Sequence, residues 1–381
     1  MARTMGVGII GCGNISAAYL GLAPLFKGIE VRACADINPA AAQARAKEFG
    51  VRAETVEGLL AADDIDLIVN LTIPAVHYEV SRAVLDAGKH VYSEKPFVLS
   101  VAEGRDLAKR AAKKGVRVGS APDTFMGGAH QLARHLVDNG AVGKISGGTC
   151  HVMSRGMEHW HPNPDFFFQH GGGPILDLGP YYISNLVQLI GPVVRVGSMT
   201  SIPTPQRTIT SKPRHGEKIT VETPTTIHAL LEFANGAVIT FGASWDVLNH
   251  GHAPMELYGS GGTLAVPDPN FFGGDVTLLD GNGKKKKLPA WKHALSVPNQ
   301  KHPNGMMANY RTAGMAEMAQ AILEERPHRC SLEFALHVVD VMTAILKSGE
   351  TGKFVTLTTT CEQPAAFGIK DAARILRKRG K

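Results

Sequence analysis

The chain reads as two folds in series. A doubly wound α/β domain comes first, and an α+β domain with a large, mostly antiparallel sheet follows. Three observations predict this. The first is the stretch from Met5 to Asp36, which runs strand, glycine turn, helix, strand, acid. Gly11 allows the tight turn, and Gly13 lets backbone approach a pyrophosphate bound by the first N–H groups of the helix. Ser16 stands at the third small position, and Asp36 closes the second strand, where a carboxylate can bind the adenosine ribose. The second observation is the alternation of strands and helices that continues to about residue 124. The third is the β-rich character of the chain from Val193 onward, punctuated by hairpin turns.

The elements follow in order. An alanine-rich helix spans Pro39 to Phe49, with Gly50 at its end, and Val56 to Ala62 is a short helix. Leu67 to Leu71 is a continuous apolar run, as in a buried parallel strand. A helix from His77 stops at Gly88, and His90 to Ser93 is a strand leading into Glu94-Lys95-Pro96. Ser100 and Glu103 read as a capping box for a helix that Gly115 closes, and Val116 to Ser120 is one more strand. Ligands of such sheets sit beyond the carboxyl ends of the strands, where Asn14, Asp36, Thr72, Lys95 and Asp123 all fall.

Past Thr124 the pattern changes, so the domains are drawn as 1–124 and 125–381. A helix from Gly128 to Asp138 precedes a strand from Lys144 to Ser154 and an irregular stretch from Arg155 to Gly173. An apolar helix then runs from about Tyr181 to Ile190. Thr226 to Phe233 and Ala237 to Trp245 flank Asn235-Gly236, the strongest short hairpin signal. Asn309 to Glu324 and Leu332 to Lys347 read as amphipathic helices, Phe354 to Leu357 as a late strand, and the basic tail from Gly368 to Lys381 as a surface helix.

Composition narrows the classes. With 381 residues, 44% hydrophobic and 19% charged, the chain is an ordinary globular protein. No apolar run is long enough to span a membrane, and the first strand begins too early to leave room for a signal peptide. The five scattered cysteines lack metal-like spacing and fit a reducing, cytoplasmic setting. A net charge of +6 suits an anionic cofactor, and no basic stripe interleaved with aromatics points to nucleic acid.

Two further stretches carry chemistry: Glu94-Lys95-Pro96, and Gly171-Gly172-Gly173-Pro174-Ile175-Leu176-Asp177-Leu178-Gly179-Pro180-Tyr181. Together with the N-terminal fingerprint they resemble the glucose–fructose oxidoreductase / inositol dehydrogenase (Gfo/Idh/MocA) family over nearly the whole chain. The resemblance implies a Rossmann domain, a C-terminal domain with a large sheet, and an NAD(P)-dependent oxidoreductase acting on sugars, cyclitols and related compounds. It places the family's Glu-Lys-Pro on Glu94, Lys95 and Pro96, and its Asp-x-Gly-x-His on Asp177, Gly179 and Tyr181. Tyr181 departs from the histidine of many members; a subgroup carries Gly-Pro-Tyr-Tyr here.

The candidate catalytic residues are therefore Lys95, Asp177 and Tyr181. Oxidising a carbinol needs a base for the hydroxyl proton as hydride leaves carbon. A tyrosine serves only if a cation favours its phenolate, which Lys95 can supply; otherwise Lys95 is the base. Asp177 either orients Lys95 and binds a substrate hydroxyl, or caps the following helix. The candidate cofactor residues are Gly11, Gly13, Asn14, Ile15, Asp36, Thr72, Pro74, His77, Glu94 and Lys95. For substrate they are Asp123, Trp160, Asn163, Asp177 and Tyr181. Glu158, His159 and His161 are neighbours in a proline-broken segment and make a poor metal set. Arg155, Arg207, Arg214 and His215 could bind an anionic sugar, but read first as surface charges.

The resulting expectation is an NAD enzyme, NADP being disfavoured by Asp36, with its active site between two domains. It transfers hydride to or from a carbinol or ketone carbon of a sugar, glycoside or cyclitol. One alternative is a glycosidase or lyase that oxidises the sugar transiently; another is a non-catalytic nucleotide sensor. The broad sheet suggests a homodimer or homotetramer packed through one face.

Overall fold

The structure is a computed structural model and describes residues 3–302 and 305–377. The chain divides into two compact units. The first takes the residues up to Gly128, then Lys292–Leu336 and those from Pro364 on; the second is Ala129–Trp291 with His337–Gln363. The first unit thus runs to Gly128, and two later segments of the chain belong to it.

The first unit is built on six parallel strands: β1 (Met5–Ile10), β2 (Ile29–Ala35), β3 (Arg52–Glu54), β4 (Leu67–Asn70), β5 (His90–Ser93) and β6 (Val118–Ser120). Their order is β3-β2-β1-β4-β5-β6, with the reversal beside β1 where dinucleotides bind. The connecting helices are α1 (Ser16–Leu22), α2 (Pro39–Phe49), α3 (Val56–Ala61), α4 (His77–Asp86) and α5 (Val101–Lys114). Their ends follow the sequence signals. Asn38 accepts a hydrogen bond from the Ala40 N–H at the start of α2, and Gly50 closes it with φ of 70°. Ser100 and Glu103 form the capping box of α5. Helix α1 is shorter than its apolar pattern suggests, because Pro24 lies in a 3₁₀ turn that ends it.

Register fixes the site. Ile10 pairs with Ala35 and with Asn70, Asn70 with Ser93, and Ser93 with Ser120. The carboxyl ends of five strands are therefore level, and Gly11, Asp36, Leu71, Glu94 and Ala121 each leave the sheet from the same row.

The second unit begins with α6 (Gly128–Asp138) and β7 (Ile145–Met153), then α7 (Asp165–Phe168), α8 (Pro174–Asp177) and α9 (Gly179–Ile190). The strands β8 (Val193–Ser201), β9 (Gln206–Thr208), β10 (Lys218–Thr220), β11 (Thr226–Phe233), β12 (Val238–Ser244), β13 (Met255–Gly259), β14 (Gly262–Val266) and β15 (Thr277–Leu279) follow. The segments that return to the first unit carry the short pair β16 (Gln300–His302) and β17 (Gly305–Met307), α10 (Ala313–Leu323) and α12 (Ile369–Ile375); α11 (Leu332–Thr351) begins there and runs on into the second unit, which also holds β18 (Val355–Thr356). Eight of these strands make one sheet in the order β15-β14-β13-β7-β12-β11-β8-β18. Every neighbouring pair is antiparallel except β7 with β12.

Burial alternates along β11: Ile227, Ala229, Leu231 and Phe233 are buried, while His228 and Leu230 are exposed. One face of the sheet thus meets the core, where every residue of α9 is buried. The expected tail helix spans Ile369–Ile375, and its continuation over 378–381 lies outside the described residues. No described helix is long and apolar enough to cross a membrane.

Candidate active site

The glycine turn has the shape a pyrophosphate needs. Gly11 has φ of 102°, and a Cβ there would lie 2.6 Å from the Leu71 carbonyl, so only glycine fits. A Cβ on Gly13 would meet nothing within 4 Å. Gly13 and the neighbouring Asn14 are exposed, and Ile15 beside them is half-buried. That open cradle at the start of α1, under a bare loop of backbone, fits the phosphates of a dinucleotide. The Ser16 hydroxyl donates to the Gly13 carbonyl at 2.6 Å and fixes the turn from inside.

Asp36 ties the second strand to this loop. Its Oδ2 accepts from the Cys12 N–H at 2.7 Å and its Oδ1 from the Asn38 N–H at 2.8 Å. Each carboxylate oxygen keeps a second lone pair for a ribose hydroxyl. Arg45 was not singled out in the sequence, since it lies nine residues beyond Asp36. From α2 it donates to the Ser16 hydroxyl at 3.1 Å and the Gly13 carbonyl at 3.3 Å, and it pairs with Glu48.

The neighbouring strand ends are braced by buried polar groups. Asn70 accepts from the Thr72 N–H and hydroxyl, and its amide donates to the His77 carbonyl and to Ser81. Pro74 opens the 3₁₀ turn that follows Thr72. His77 is fully enclosed, one ring nitrogen 2.9 Å from the Thr72 carbonyl and the other 2.7 Å from that of Pro96. Burial lowers its pKa. His77 therefore stands as a tie between the loops after β4 and β5. Glu94 is buried as well: Oε1 accepts from the Tyr19 hydroxyl at 2.9 Å and Oε2 from the Lys95 N–H at 2.9 Å. The start of the Glu94-Lys95-Pro96 turn is thus bolted to the nucleotide helix α1.

Asp123, expected at the substrate, has other partners in the first unit. It is 2% exposed, and its Oδ2 accepts from the Thr312 and Gly314 N–H groups at 3.0 and 2.9 Å. It holds the first amides of α10, a partnership 189 residues distant that no local pattern announces. Burial pushes its carboxyl up to about 6.

In the second unit, Asp177 is half-buried and closes α8. The residue at the N-cap of α9 is Leu178. Tyr181, three residues into α9, is 7% exposed. Trp160 is 57% exposed, edge-on to His161, whose Nδ1 accepts from the N–H of the exposed Asn163 at 3.1 Å.

Arg207 corrects its reading as a surface charge. It is buried and bonds Glu158 at 2.7 Å, Asp246, and the Trp245 carbonyl at 3.1 Å, with its guanidinium over the Phe168 ring. Arg214 binds Asp165 and Glu217. With Ser211 donating to the His161 carbonyl at 2.6 Å and the Glu222 N–H to the Phe168 carbonyl at 2.8 Å, the β9–β10 excursion grips the 158–168 segment at several points. Glu158 is thus the ion-pair partner of a buried arginine.

Comparison with known proteins gives concordant results. Residues 5–121 match the family model described as an oxidoreductase family with an NAD-binding Rossmann fold. Residues 130–265 match that of the GFO/IDH/MocA C-terminal domain. An uncharacterized oxidoreductase of Schizosaccharomyces pombe is 25% identical over 350 residues, covering 86% of this chain and 92% of that protein. A levoglucosan dehydrogenase of Pseudarthrobacter phenanthrenivorans is 26% identical over 293 residues, 69% of this chain and 73% of the other. Among solved structures, a levoglucosan dehydrogenase in complex with NADH superposes with a TM-score of 0.78 at 20% identity, over 94% of this chain and 100% of that one. At that identity the likeness is one of fold.

Proposed function

Since the chain belongs to the Gfo/Idh/MocA family of oxidoreductases, with its NAD-binding Rossmann domain, we propose that it oxidises a secondary hydroxyl of a pyranose-type sugar or glycoside, or reduces the matching ketone. The observation that carries the reading is the row of level strand ends, where the glycine turn, Asp36 and Lys95 leave one sheet edge and Glu94 locks Lys95 to the nucleotide helix. Names borne by relatives support the substrate class: levoglucosan dehydrogenase, 1,5-anhydro-D-fructose reductase of Ensifer adhaerens, and D-glucoside 3-dehydrogenase of Escherichia coli.

NAD, when bound, supplies the hydride acceptor. The Gly11–Ile15 loop would hold its phosphates and Asp36 its adenosine ribose, with the Thr72–Pro74 turn, fixed by Asn70 and His77, among the residues that would hold it. Tyr181 takes the hydroxyl proton, or Lys95 does in its place; Asp177 fixes a substrate hydroxyl. Trp160 and Asn163 belong to the sugar-facing set. NAD is preferred over NADP because a 2′-phosphate would meet the Asp36 carboxylate. The exposed sheet face of the second unit, which carries Leu230, Met199 and Val238, supports assembly as a homodimer or homotetramer.

The test is a reduction screen with NAD against anhydrosugars, glycosides, free sugars and cyclitols. Stoichiometric NADH with one of these carries the reading. Aglycone release without NADH would favour transient oxidation, and binding without turnover on any polyol would overturn the enzymatic assignment.

A further inference from the structure

The glycine run ahead of α8 seats an aromatic segment beside Asp177. A Cβ on Gly172 would strike the carbonyls of Phe166 and Phe167, and Gly173 takes φ of 89°, so both positions favour glycine. The Gly173 N–H donates to the Phe167 carbonyl at 2.7 Å, and the Asp177 N–H donates to the Gly173 carbonyl at 3.1 Å. One helical turn, about 6 Å, therefore separates Asp177 from the glycine that Phe167 holds. Leu178, next in the chain, packs with Phe167 on one core cluster that contains Phe168 and Trp245.

The segment carries a continuous row of rings. Trp160 meets His161 edge-on with centroids 5.3 Å apart, His161 meets Phe166 and Phe167 at 5.5 and 5.2 Å, and Phe167 meets Trp245 at 5.9 Å. Trp245 is fully buried, whereas Trp160 and Phe166 are 57% and 46% exposed. The backbone of this exposed end is fastened from outside. Ser211 holds the His161 carbonyl, Arg214 the Asp165 carboxylate and Arg207 that of Glu158. Polar groups stand among the rings. Asn163 is exposed, and its N–H donates to His161 Nδ1, so the neutral imidazole carries its proton on Nε2.

We propose that Trp160 and Phe166 form a subsite for a second sugar ring, so that the substrate is a glycoside of at least two rings. One ring, the one oxidised, lies at Asp177, and its neighbour lies on the aromatic shelf. The proposal rests on the reading of Asp177 as a substrate residue. A pyranose has C–H faces that pack on aromatic rings and a belt of hydroxyls that seeks donors and acceptors. Trp160 and Phe166 meet the first need, His161 and Asn163 the second. A wholly apolar occupant would strip water from His161 and Asn163 without replacing its hydrogen bonds. The rings are also preorganised: each has two side-chain torsions to fix, and the bonds from Ser211 and Arg214 set the backbone before any ligand arrives.

The test is steady-state kinetics of the full-length protein with NAD. It compares maltose and cellobiose with the methyl α- and β-glucosides, which keep the first ring and delete the second. KM for the better disaccharide should lie about tenfold below that of its methyl glucoside at similar kcat, the scale of ring packing on two aromatics. Phe166→Ala should remove most of that advantage while kcat on the disaccharide holds, and Trp160→Ala, at the more exposed ring, checks it should the first variant misfold. Equal KM for the two kinds of glycoside overturns the proposal, as do variants that weaken both alike. Phenyl glucoside surpassing the disaccharide overturns it too, because the shelf would then seat an aromatic aglycone.

Intrinsic fluorescence reads the shelf without turnover, since Trp160 is the most exposed of the three tryptophans. A disaccharide that shifts the emission of the wild type and not of Phe166→Ala, in a protein that reduces no NAD, keeps the subsite and fails the oxidoreductase reading. Neither a shift nor turnover with the disaccharides overturns the subsite.

Discussion

The Tyr19 hydroxyl donates a hydrogen bond to Glu94 Oε1 at 2.9 Å, so the helix that receives the pyrophosphate and the turn that carries Lys95 share one buried carboxylate. Tyr19→Phe keeps the ring and removes the donor. A hydrogen bond to a charged group is worth about 1.5–3 kcal/mol, and unfolding stability should fall by about 2 kcal/mol in a denaturant titration. NADH affinity should fall with it, since both partners flank the cofactor. Unchanged stability would show that the hydroxyl does not hold Glu94.

Asp36→Ala should narrow the preference for NAD over NADP. The carboxylate leaves two N–H groups, of Cys12 and Asn38, without their acceptor, so affinity for NAD drops while repulsion of a 2′-phosphate disappears. The ratio of kcat/KM for the two cofactors reads both effects at once. A wild type that uses NADP as efficiently as NAD would sink the assignment.

Arg207 is the only cation bonded to both Glu158 and Asp246 among the ion pairs of the described residues, and all three are largely buried. Arg207→Met leaves two buried carboxylates uncompensated. Breaking a buried pair this way costs about 3–5 kcal/mol, far more than a surface substitution. Chemical unfolding of the variant measures it, and a loss under about 1 kcal/mol would mean the network is wet and weak.

Asp123 makes stability depend on pH with a defined sign. Its carboxyl is pushed up from 3.8 to about 6 in the folded protein by burial, so the native state binds the proton more tightly than the unfolded chain. Stability from this group is therefore lost as pH rises from about 4 to 6, by about 3 kcal/mol at 1.36 kcal/mol per unit. Asp123→Asn keeps an oxygen for the Thr312 and Gly314 N–H groups and cannot ionise. The variant should gain on the wild type as pH rises through that window, and a difference that stays flat would remove burial as the cause.

What was legible in the sequence is what is local. The Gly11–Asp36 fingerprint, the helix end at Gly50, the capping box at Ser100, and the Asn235-Gly236 hairpin are each decided by residues a few positions apart, and the structure has them where the pattern puts them. The partners of Asp123, Arg207 and Glu94 come from 189, 39 and 75 residues away. Nothing in the local pattern distinguishes such a buried polar group from an exposed one. The same reason hides the short strands β3, β9 and β10, whose three-residue runs exist only because a neighbour pairs with them.

Tyr181, the proposed base, carries the sharpest test. The residue lies in the first turn of α9, a helix buried along its whole length, with only 7% of its own surface exposed. Tyr181→Phe preserves the ring and its packing and deletes only the hydroxyl, so the unfolding profile should stay close to that of the wild type. General base catalysis contributes about 10²–10⁴-fold, roughly 3–6 kcal/mol of barrier, and kcat should drop by that order while NADH binding holds. Lys95→Ala, if the two residues act on one proton, should slow the wild type steeply and the Phe variant little further. Additive losses would place the two on separate steps. A Phe variant at near-normal rate would leave Tyr181 as the packing residue that opens α9 and move the proton to Lys95.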